Sequence, residues 1–387
     1  MDKIKLLVIF GTRPEAIKMA PLVRELKKRE HFNCLVAVTA QHRQMLDQVL
    51  SLFDIVPDYD LNIMTEKQTL FDITSKALNG LKEVLESTKP QMVLVHGDTT
   101  TTFVGALAAF YSHIKVGHVE AGLRTFNKRL PFPEEMNRKL TGAIADLHFA
   151  PTATAKKNLL SEGINQDDIF VTGNTVIDAL RTTVKDDYVF SNDTLNRLDL
   201  KARKLILVTA HRRENLGKPL ENICLGLLDM VNQNPDVVLV YPVHLNPRVQ
   251  DTVYGILGGH ERIILLSPLD TDDMHNLMAR CYMVMTDSGG LQEEAPSLGK
   301  PVLVLRNETE RPEAVEAGTV KVIGTERLDV VNYGNLLLND KGEYERMANA
   351  VNPYGDGRAS ERIADSIEYY FGLKKERPLE FSPKRQL

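Results

Sequence analysis

Twice along this chain, short runs of apolar residues alternate with amphipathic stretches of helical spacing, and no other feature narrows the fold as far. In the first half the runs are KLLVIF (5–10), CLVAVTA (34–40), QMVLVH (91–96), KVGHVE (115–120) and DLHFAP (146–151). Helical patterns separate them; in the first, Ile17, Ala20, Val23 and Leu26 recur on one face. The alternation restarts with LILVTA (205–210) and continues through VVLVYPVH (237–244), RIILLS (262–267), YMVMTDS (282–288), PVLVLR (301–306) and TVKVIG (319–324). Strands this uniformly apolar are covered on both faces, the habit of parallel sheets flanked by helices. The fold class is therefore α/β, with two Rossmann-like doubly wound domains. The expected division is 1–172 for the first domain, 173–202 for a polar, turn-rich connection and 203–358 for the second. ASERIADSIEYYFGL (359–373) predicts an amphipathic helix that crosses back onto the first domain, and the polar tail from Lys374 is expected to be mobile.

Length agrees with this division, since 387 residues suit two domains of moderate size. A formal net charge of −5 leaves no basic footprint for nucleic acid, so an anionic ligand must be held by local cations. Cys34, Cys224 and Cys281 sit in apolar or helical patterns without pairable spacing and read as buried thiols of a reducing compartment. The N-terminal apolar run ends at Gly11, too short for a signal peptide, and no run approaches the roughly 18–20 residues that cross a bilayer. A cytoplasmic protein with no membrane partner is expected.

In doubly wound sheets ligands sit outside the carboxyl ends of the strands. That rule gathers Arg13, His42, Asp98 and Glu120 onto one edge. The richest stretch is HVEAGLRTFNKRLPFPEEMNR (118–138), where Glu120 and Glu134 flank a loop carrying Arg124, Arg129 and Arg138. Separate carboxylates with cations nearby suit proton transfer on an anionic substrate. Each acid also has a plainer reading: Asp98 as a helix cap, Glu134 as a dipole-favoured first-turn residue after Pro-Phe-Pro. Glu120, ending a buried strand, needs a partner or a task. Arg13 and Lys18 place two cations beside a helix N-terminus, although the loop is not G-x-G-x-x-G and no dinucleotide cofactor is expected. In the second half, His211-Arg212-Arg213-Glu214 follows a strand, and Asp287-Ser288-Gly289-Gly290 opens a helix whose free N–H groups suit phosphate oxygens. Glu294, one turn in, is placed to accept from ribose hydroxyls. Asp270-Thr271-Asp272-Asp273 reads as helix capping rather than a metal motif. His96/Asp98 and His118/Glu120 lack the cysteine or third histidine of a zinc set, so no metal is expected.

With these motifs in view, the chain resembles the non-hydrolysing UDP-N-acetylglucosamine 2-epimerases. The resemblance rests on FGTRPEAIKMAP (10–21), HGDTTTTF (96–103), GHVEAGLRT (117–125), PFPEEMNR (131–138), TAHRREN (209–215) and TDSGGLQEEAPSLGKPVLVLRNETERPEA (286–314). It implies two Rossmann-like domains facing a cleft, the GT-B arrangement, in a homodimeric enzyme without cofactor. Carried over by the matching segments, Arg13, Lys18, Asp98, Glu120 and His211 would contact substrate. Ser288, Gly289, Gly290, Glu294 and Arg311 would hold the nucleotide and diphosphate. Asp98, Glu120 and Glu134 would be the catalytic acids, with His211 beside them. Gln41, His42, Gln44, Arg212 and His244 would line a site for a second UDP-N-acetylglucosamine acting as activator. The implied reaction is reversible epimerisation at C2 through elimination of UDP, supplying precursors of cell-surface polysaccharides. A hydrolysing epimerase, a GT-B glycosyltransferase and a non-catalytic nucleotide-sugar sensor are the alternatives.

Overall fold

A computed structural model of the chain describes residues 3–40, 43–65, 68–198 and 203–383. It divides into two compact units, the first being Met1–Thr182 with Tyr354–Ser382 and the second built on Thr183–Pro353. In the first unit the chain runs β1 (Ile4–Phe10), α1 (Arg13–Lys28), β2 (Phe32–Val38), α2 (Arg43–Leu52), β3 (Tyr59–Asp60) and α3 (Leu70–Thr88). It continues through β4 (Met92–His96), α4 (Thr100–Tyr111), β5 (Lys115–Val119), α5 (Glu134–Ile144), β6 (Leu147–Ala150), α6 (Ala153–Ser161), β7 (Ile169–Val171) and α7 (Thr175–Thr183). The sheet order is β3-β2-β1-β4-β5-β6-β7, and each neighbouring pair is parallel.

The second unit follows the short α8 (Asp193–Asn196) with β8 (Lys204–Thr209), α9 (Lys218–Gln233), β9 (Val237–Pro242), α10 (Pro247–Leu257), β10 (Ile263–Leu266) and α11 (Thr271–Arg280). Then come β11 (Met283–Thr286), α12 (Gly289–Ser297), β12 (Val302–Val304), α13 (Pro312–Ala317), β13 (Val320–Val322), α14 (Arg327–Asn339) and α15 (Lys341–Ala348). Its parallel sheet has the order β10-β9-β8-β11-β12-β13. Both units are thus Rossmann-like and doubly wound, as the alternation predicts. In each, the strand order reverses direction next to the first strand, between β1 and β4 and between β8 and β11. Such switch points leave a crevice at the carboxyl edge.

Alternation along β1 shows how the core is divided. Leu6, Val8 and Phe10 face Met19, Leu22 and Leu26 of α1, whereas Leu7 and Ile9 face Ile73, Ala77 and Leu81 of α3. A strand buried on both sides has no polar position to spare, which is why its sequence reads as one apolar run. The second unit repeats the scheme, with Ile206 and Val208 of β8 against Ile223 and Leu227 of α9.

The last helix, α16 (Ala359–Tyr370), belongs to the first unit and adds Ile363, Ala364 and Ile367 to the core beneath β1. Its N-terminus is capped from far away in sequence: the Asp178 carboxylate, on α7, accepts from Ala359 N at 3.1 Å and Ser360 N at 2.7 Å. Among its described residues the tail beyond it is tied down at two points, where mobility is expected from its polarity. Phe381 is buried and donates its N–H to Val171 O at 2.7 Å, and the Arg377 guanidinium donates to Asp167 O and Ile169 O. The same guanidinium lies 4.1 Å from the Phe170 ring centroid. Polar residues here are used to tie β7, which lies at one edge of the sheet. In the second unit Asp270 makes no side-chain capping bond to α11, although Asp272 and Asp273 lie in its first turn. Asp273 instead accepts from Tyr188 O–H at 2.8 Å and Ser191 N at 3.0 Å, fastening that segment.

Asp178→Ala removes both donors' partner at the start of α16. The expected cost is about 1–2 kcal/mol, typical of a lost cap, which in a unit of this size lowers Tm by about 2–4 °C per kcal/mol. Calorimetry of the variant checks this; an unchanged first-unit transition would mean that water replaces the carboxylate without loss.

Candidate active site

At the carboxyl edge of the first sheet, the turn from β1 into α1 is fastened by a buried acid. Glu15 Oε2 accepts from Gly11 N at 3.1 Å and from Thr12 N and Oγ1, each at 2.8 Å. Its Oε1 accepts from Thr99 Oγ1 at 2.7 Å and Thr102 Oγ1 at 3.1 Å, joining the β1 and β4 loops. Gly11 has to be glycine, because a Cβ there would overlap the Thr39 and Thr101 hydroxyls, themselves paired at 2.9 Å. Glu15 is therefore a structural acid. Arg13, the first residue of α1, has no hydrogen-bond or ion-pair partner among the described residues. Its charge stands at a helix N-terminus, where an anion would be favoured.

Glu120 lies just past β5 in the left-handed region, with φ +62°, a conformation uncommon outside glycine. Its carboxylate forms an ion pair with Lys18, receives a hydrogen bond from Asn174 Nδ2 at 3.2 Å and stands 3.3 Å from His96 Nε2. The His96 contact is close but misaligned, and neither of that ring's buried nitrogens has a hydrogen-bond partner among the described residues. Burial alone would push the Glu120 pKa up; Lys18 and His96 together outweigh it and hold the group well below the usual carboxylate range. Lys18, expected as a cation for an anionic ligand beside the helix N-terminus, is here paired with Glu120.

The remaining acids are brought to the same edge by α5. Asn137 Nδ2 donates to Asp98 O at 2.9 Å, and Arg138 Nη2 lies 2.6 Å from Asp98 Oδ2. Asp98 is not a helix cap, since Thr99 Oγ1 performs that task by accepting from Thr102 N. Glu134 opens α5 as its sequence context predicts, and its Oε2 is buried without a hydrogen-bond partner. Glu135, not singled out from the sequence, is structural: it accepts from Thr125 N and Phe126 N, both at 3.0 Å. The three arginines of the loop part company. Arg138 serves Asp98, Arg129 is exposed, and Arg124 is locked to Glu162 by two bonds of 3.0 and 2.7 Å.

In the second unit the buried carboxylate of Asp287 folds the loop after β8. Its Oδ2 accepts from His211 N and Arg212 N, each at 2.7 Å, and from Asn215 Nδ2 at 3.0 Å. Ser288 precedes α12, and a methyl group on Gly289 would lie 3.7 Å from Arg311 Nη2 and 3.8 Å from Arg212 Nη2. Two guanidinium ends thus converge on a helix N-terminus, a combination suited to phosphate oxygens. Arg311 is steadied by an ion pair with buried Glu293. Glu294 Oε2 faces His275 Nε2 at 3.5 Å, and its Oε1 lies near Gly290. The His211 ring stacks on His244, with centroids 4.9 Å apart and planes 9° apart. Burial, helped by His244 and Arg212 against the opposing Asp287, draws the His211 pKa below its ordinary value. Gln41 and His42 lie outside the described residues, and only the backbone of Gln44 is described, within α2. Among the described residues no group of three or more His, Cys, Asp or Glu is disposed to hold a metal ion.

These features have close counterparts among known proteins. A family model described as UDP-N-acetylglucosamine 2-epimerase matches residues 24–368. The UDP-N-acetylglucosamine 2-epimerase of Bacillus subtilis strain 168 is 58% identical over 384 residues, 99% of this chain and 100% of the relative. An S. aureus MnaA–UDP co-structure superposes with a TM-score of 0.90 at 53% identity, covering 98% of this chain and 100% of that one. The Neisseria meningitidis UDP-GlcNAc 2-epimerase bound to UDP-GlcNAc gives a TM-score of 0.84 at 49% identity, covering 95% and 100%.

Two further histidines beneath the edge set an acid limit on the first unit. Burial, opposed by the hydrogen bond to Gly97 O, lowers His118 to about 3, and burial lowers His148 to about 4. Unfolded, each would titrate near 6.5, so both states are neutral above that pH and stability is complete there. Below it the unfolded chain takes up protons that the folded one refuses, and stability falls from pH 6.5 towards about 4. The loss is expected to reach roughly 2 kcal/mol per ring by pH 5. Urea titrations between pH 7.5 and 5 test it: His148→Gln should remove about half of the slope in the first-unit transition, and an unaltered slope would assign the pH dependence elsewhere.

Proposed function

The chain belongs to the UDP-N-acetylglucosamine 2-epimerase family, and from that premise we propose that it interconverts UDP-N-acetylglucosamine and UDP-N-acetylmannosamine without releasing free sugar. The observation that carries this reading is the set of acids at the first unit's switch point. Glu120 is ionised and fixed on one oxygen, Asp98 is braced by Arg138, and Glu134 keeps one oxygen without a partner. The C2 hydrogen of an N-acetylhexosamine is not α to a carbonyl, so UDP leaves first. As the C1–O bond breaks, positive charge at C1 makes the C2–H acidic and a carboxylate removes the proton. The electron pair of that bond forms the C1–C2 double bond of 2-acetamidoglucal. Protonation of C2 on the opposite face and return of UDP to C1 give the epimer.

Inversion wants a base and an acid on different faces, which carboxylates on separate loops supply. Such assistance is worth about 10²–10⁴-fold. The departing diphosphate needs stabilisation of its own, a role suited to Arg13, His211, Arg311 and the Ser288–Gly290 helix start. UDP and UDP-GlcNAc are found with the related S. aureus and N. meningitidis proteins, which supports the same ligands here. Within this reading Glu294 receives the ribose and Lys18 acts on substrate through Glu120. We assign Arg212 and His244 to an activator site for a second UDP-N-acetylglucosamine, a reading supported by the His211–His244 stack. A cytoplasmic homodimer supplying cell-surface polysaccharide precursors completes the proposal. No helix among the described residues is long and apolar enough to cross a membrane.

Incubation with UDP-N-acetylglucosamine in deuterated water tests the reaction. Expected are the manno isomer, deuterium at C2 of both sugars and no free hexosamine. Exchange of isomers without solvent deuterium would overturn the elimination route, and free N-acetylmannosamine would make the enzyme a hydrolase. Glu120→Gln should lower kcat by about 10²-fold or more while UDP binding persists.

A further inference from the structure

Every group that holds Glu120 reaches the same atom. Lys18 Nζ, Asn174 Nδ2 and His96 Nε2 all lie against Oε2, whereas Oε1 accepts no hydrogen bond among the described residues. Asn174 stands in the turn from β7 to α7, and His96 ends β4 in register with Val119, the residue before Glu120. Both are almost wholly buried, at 3% exposure each. Asn174 is in turn held by its own backbone, its N–H donating to Tyr354 O at 2.6 Å and its Oδ1 accepting from Val176 N at 3.0 Å. Its amide is thereby oriented before any substrate arrives. His96 has a different character, since its Nε2 stands 3.3 Å from Glu120 Oε2 while neither ring nitrogen has a hydrogen-bond partner among the described residues. A buried ring nitrogen without a hydrogen bond is costly, and a site that keeps one at this position has a use for it.

We propose that Asn174 and His96 are positioning residues for proton transfer at C2: pinning Oε2 of Glu120, they aim Oε1 at the sugar carbon. The inference rests on the proton-transfer role given to Glu120 above. Neither residue touches the sugar, and both act through the orientation and ionisation of one carboxylate. The charged and titratable groups that face that carboxylate are Lys18 from α1 and His96 from β4; Asn174 adds a neutral donor from the third side. Weakening the clamp therefore makes Glu120 a weaker acid that takes up its proton at higher pH, and the acid limb of the rate profile moves to higher pH.

Asn174→Asp separates positioning from mere structure. It retains an acceptor for Val176 N but sets an oxygen against Oε2 in place of the N–H donor. We expect kcat to fall by about 10–100-fold, the equivalent of one hydrogen bond to a charged group, with KM and UDP affinity within about threefold and the acid limb shifted up by about one pH unit. His96→Leu should act in the same direction and His96→Gln, which restores a donor, should recover part of the loss; this pair decides the matter should Asn174→Asp not fold. Wild-type kcat and profile in Asn174→Asp, or His96→Leu equal to His96→Gln, would overturn the inference. Carbon-13 titration of the Glu120 carboxyl gives a readout that does not depend on turnover. If the wild-type chain never exchanges the isomers, the reading of Glu120 fails and catalytic positioning fails with it, while a Glu120 titration unmoved in the variants refutes the clamp alone.

Discussion

A carboxylate removed from water is tolerated only where donors or cations replace its hydration, and the penalty otherwise is several kcal/mol. Each unit places such a group where its strand order reverses, and the surrounding loops take their shape from satisfying it. Glu15 draws the β1 and β4 turns together through five donors. Asp287 does the same for the β8 and β11 turns with two backbone N–H groups and an amide. Glu120 differs because its partners include a lysine and a histidine and because they leave one oxygen open. The first two acids build loops; the third is left with capacity for chemistry.

The two units differ in the kind of polar group they display at the carboxyl edge of the sheet. Acids with individually assigned cations occupy the edge of the first. Guanidinium groups and backbone N–H groups at a helix start occupy the edge of the second, a set whose chemistry suits phosphate oxygens. Arg124 and Glu293 show how much of the visible charge is scaffolding. The former is saturated by Glu162, and the latter exists to orient Arg311.

Much of this was legible from the residue order. The two sheets follow from apolar runs whose uniformity admits no exposed face, and the edge on which Arg13, Asp98 and Glu120 meet follows from strand direction alone. The cap of α4 was read onto Asp98, which is as good a cap in isolation as the neighbouring Thr99; the Thr99 hydroxyl takes the task, and Asp98 pairs with Arg138, distant in sequence. Asn174 escaped notice, and His96 was weighed only as half of a metal pair, for a related reason. An asparagine in a polar turn and a histidine ending a strand carry no local signature, and their significance comes from where Glu120 lands in the fold. Strands β3 and β7 were missed because two or three residues at a sheet margin are too few for any period to register. The tail misled through composition, since in a mostly polar stretch Arg377 and Phe381 bind to β7 and the turn before it.

The capping of α16 by Asp178 has a consequence for biosynthesis. The first unit is discontinuous, and the helix that packs on α1 and completes the core shared with Leu6, Val8 and Phe10 leaves the ribosome only after the whole of the second unit has been made. Until then a strip of α1 and β1 stays without its cover, and the nascent chain carries an incomplete core past more than a hundred and fifty residues of translation. Vectorial folding is thereby inverted: the domain that begins first is sealed last, and chaperone occupancy during synthesis should concentrate on that interval.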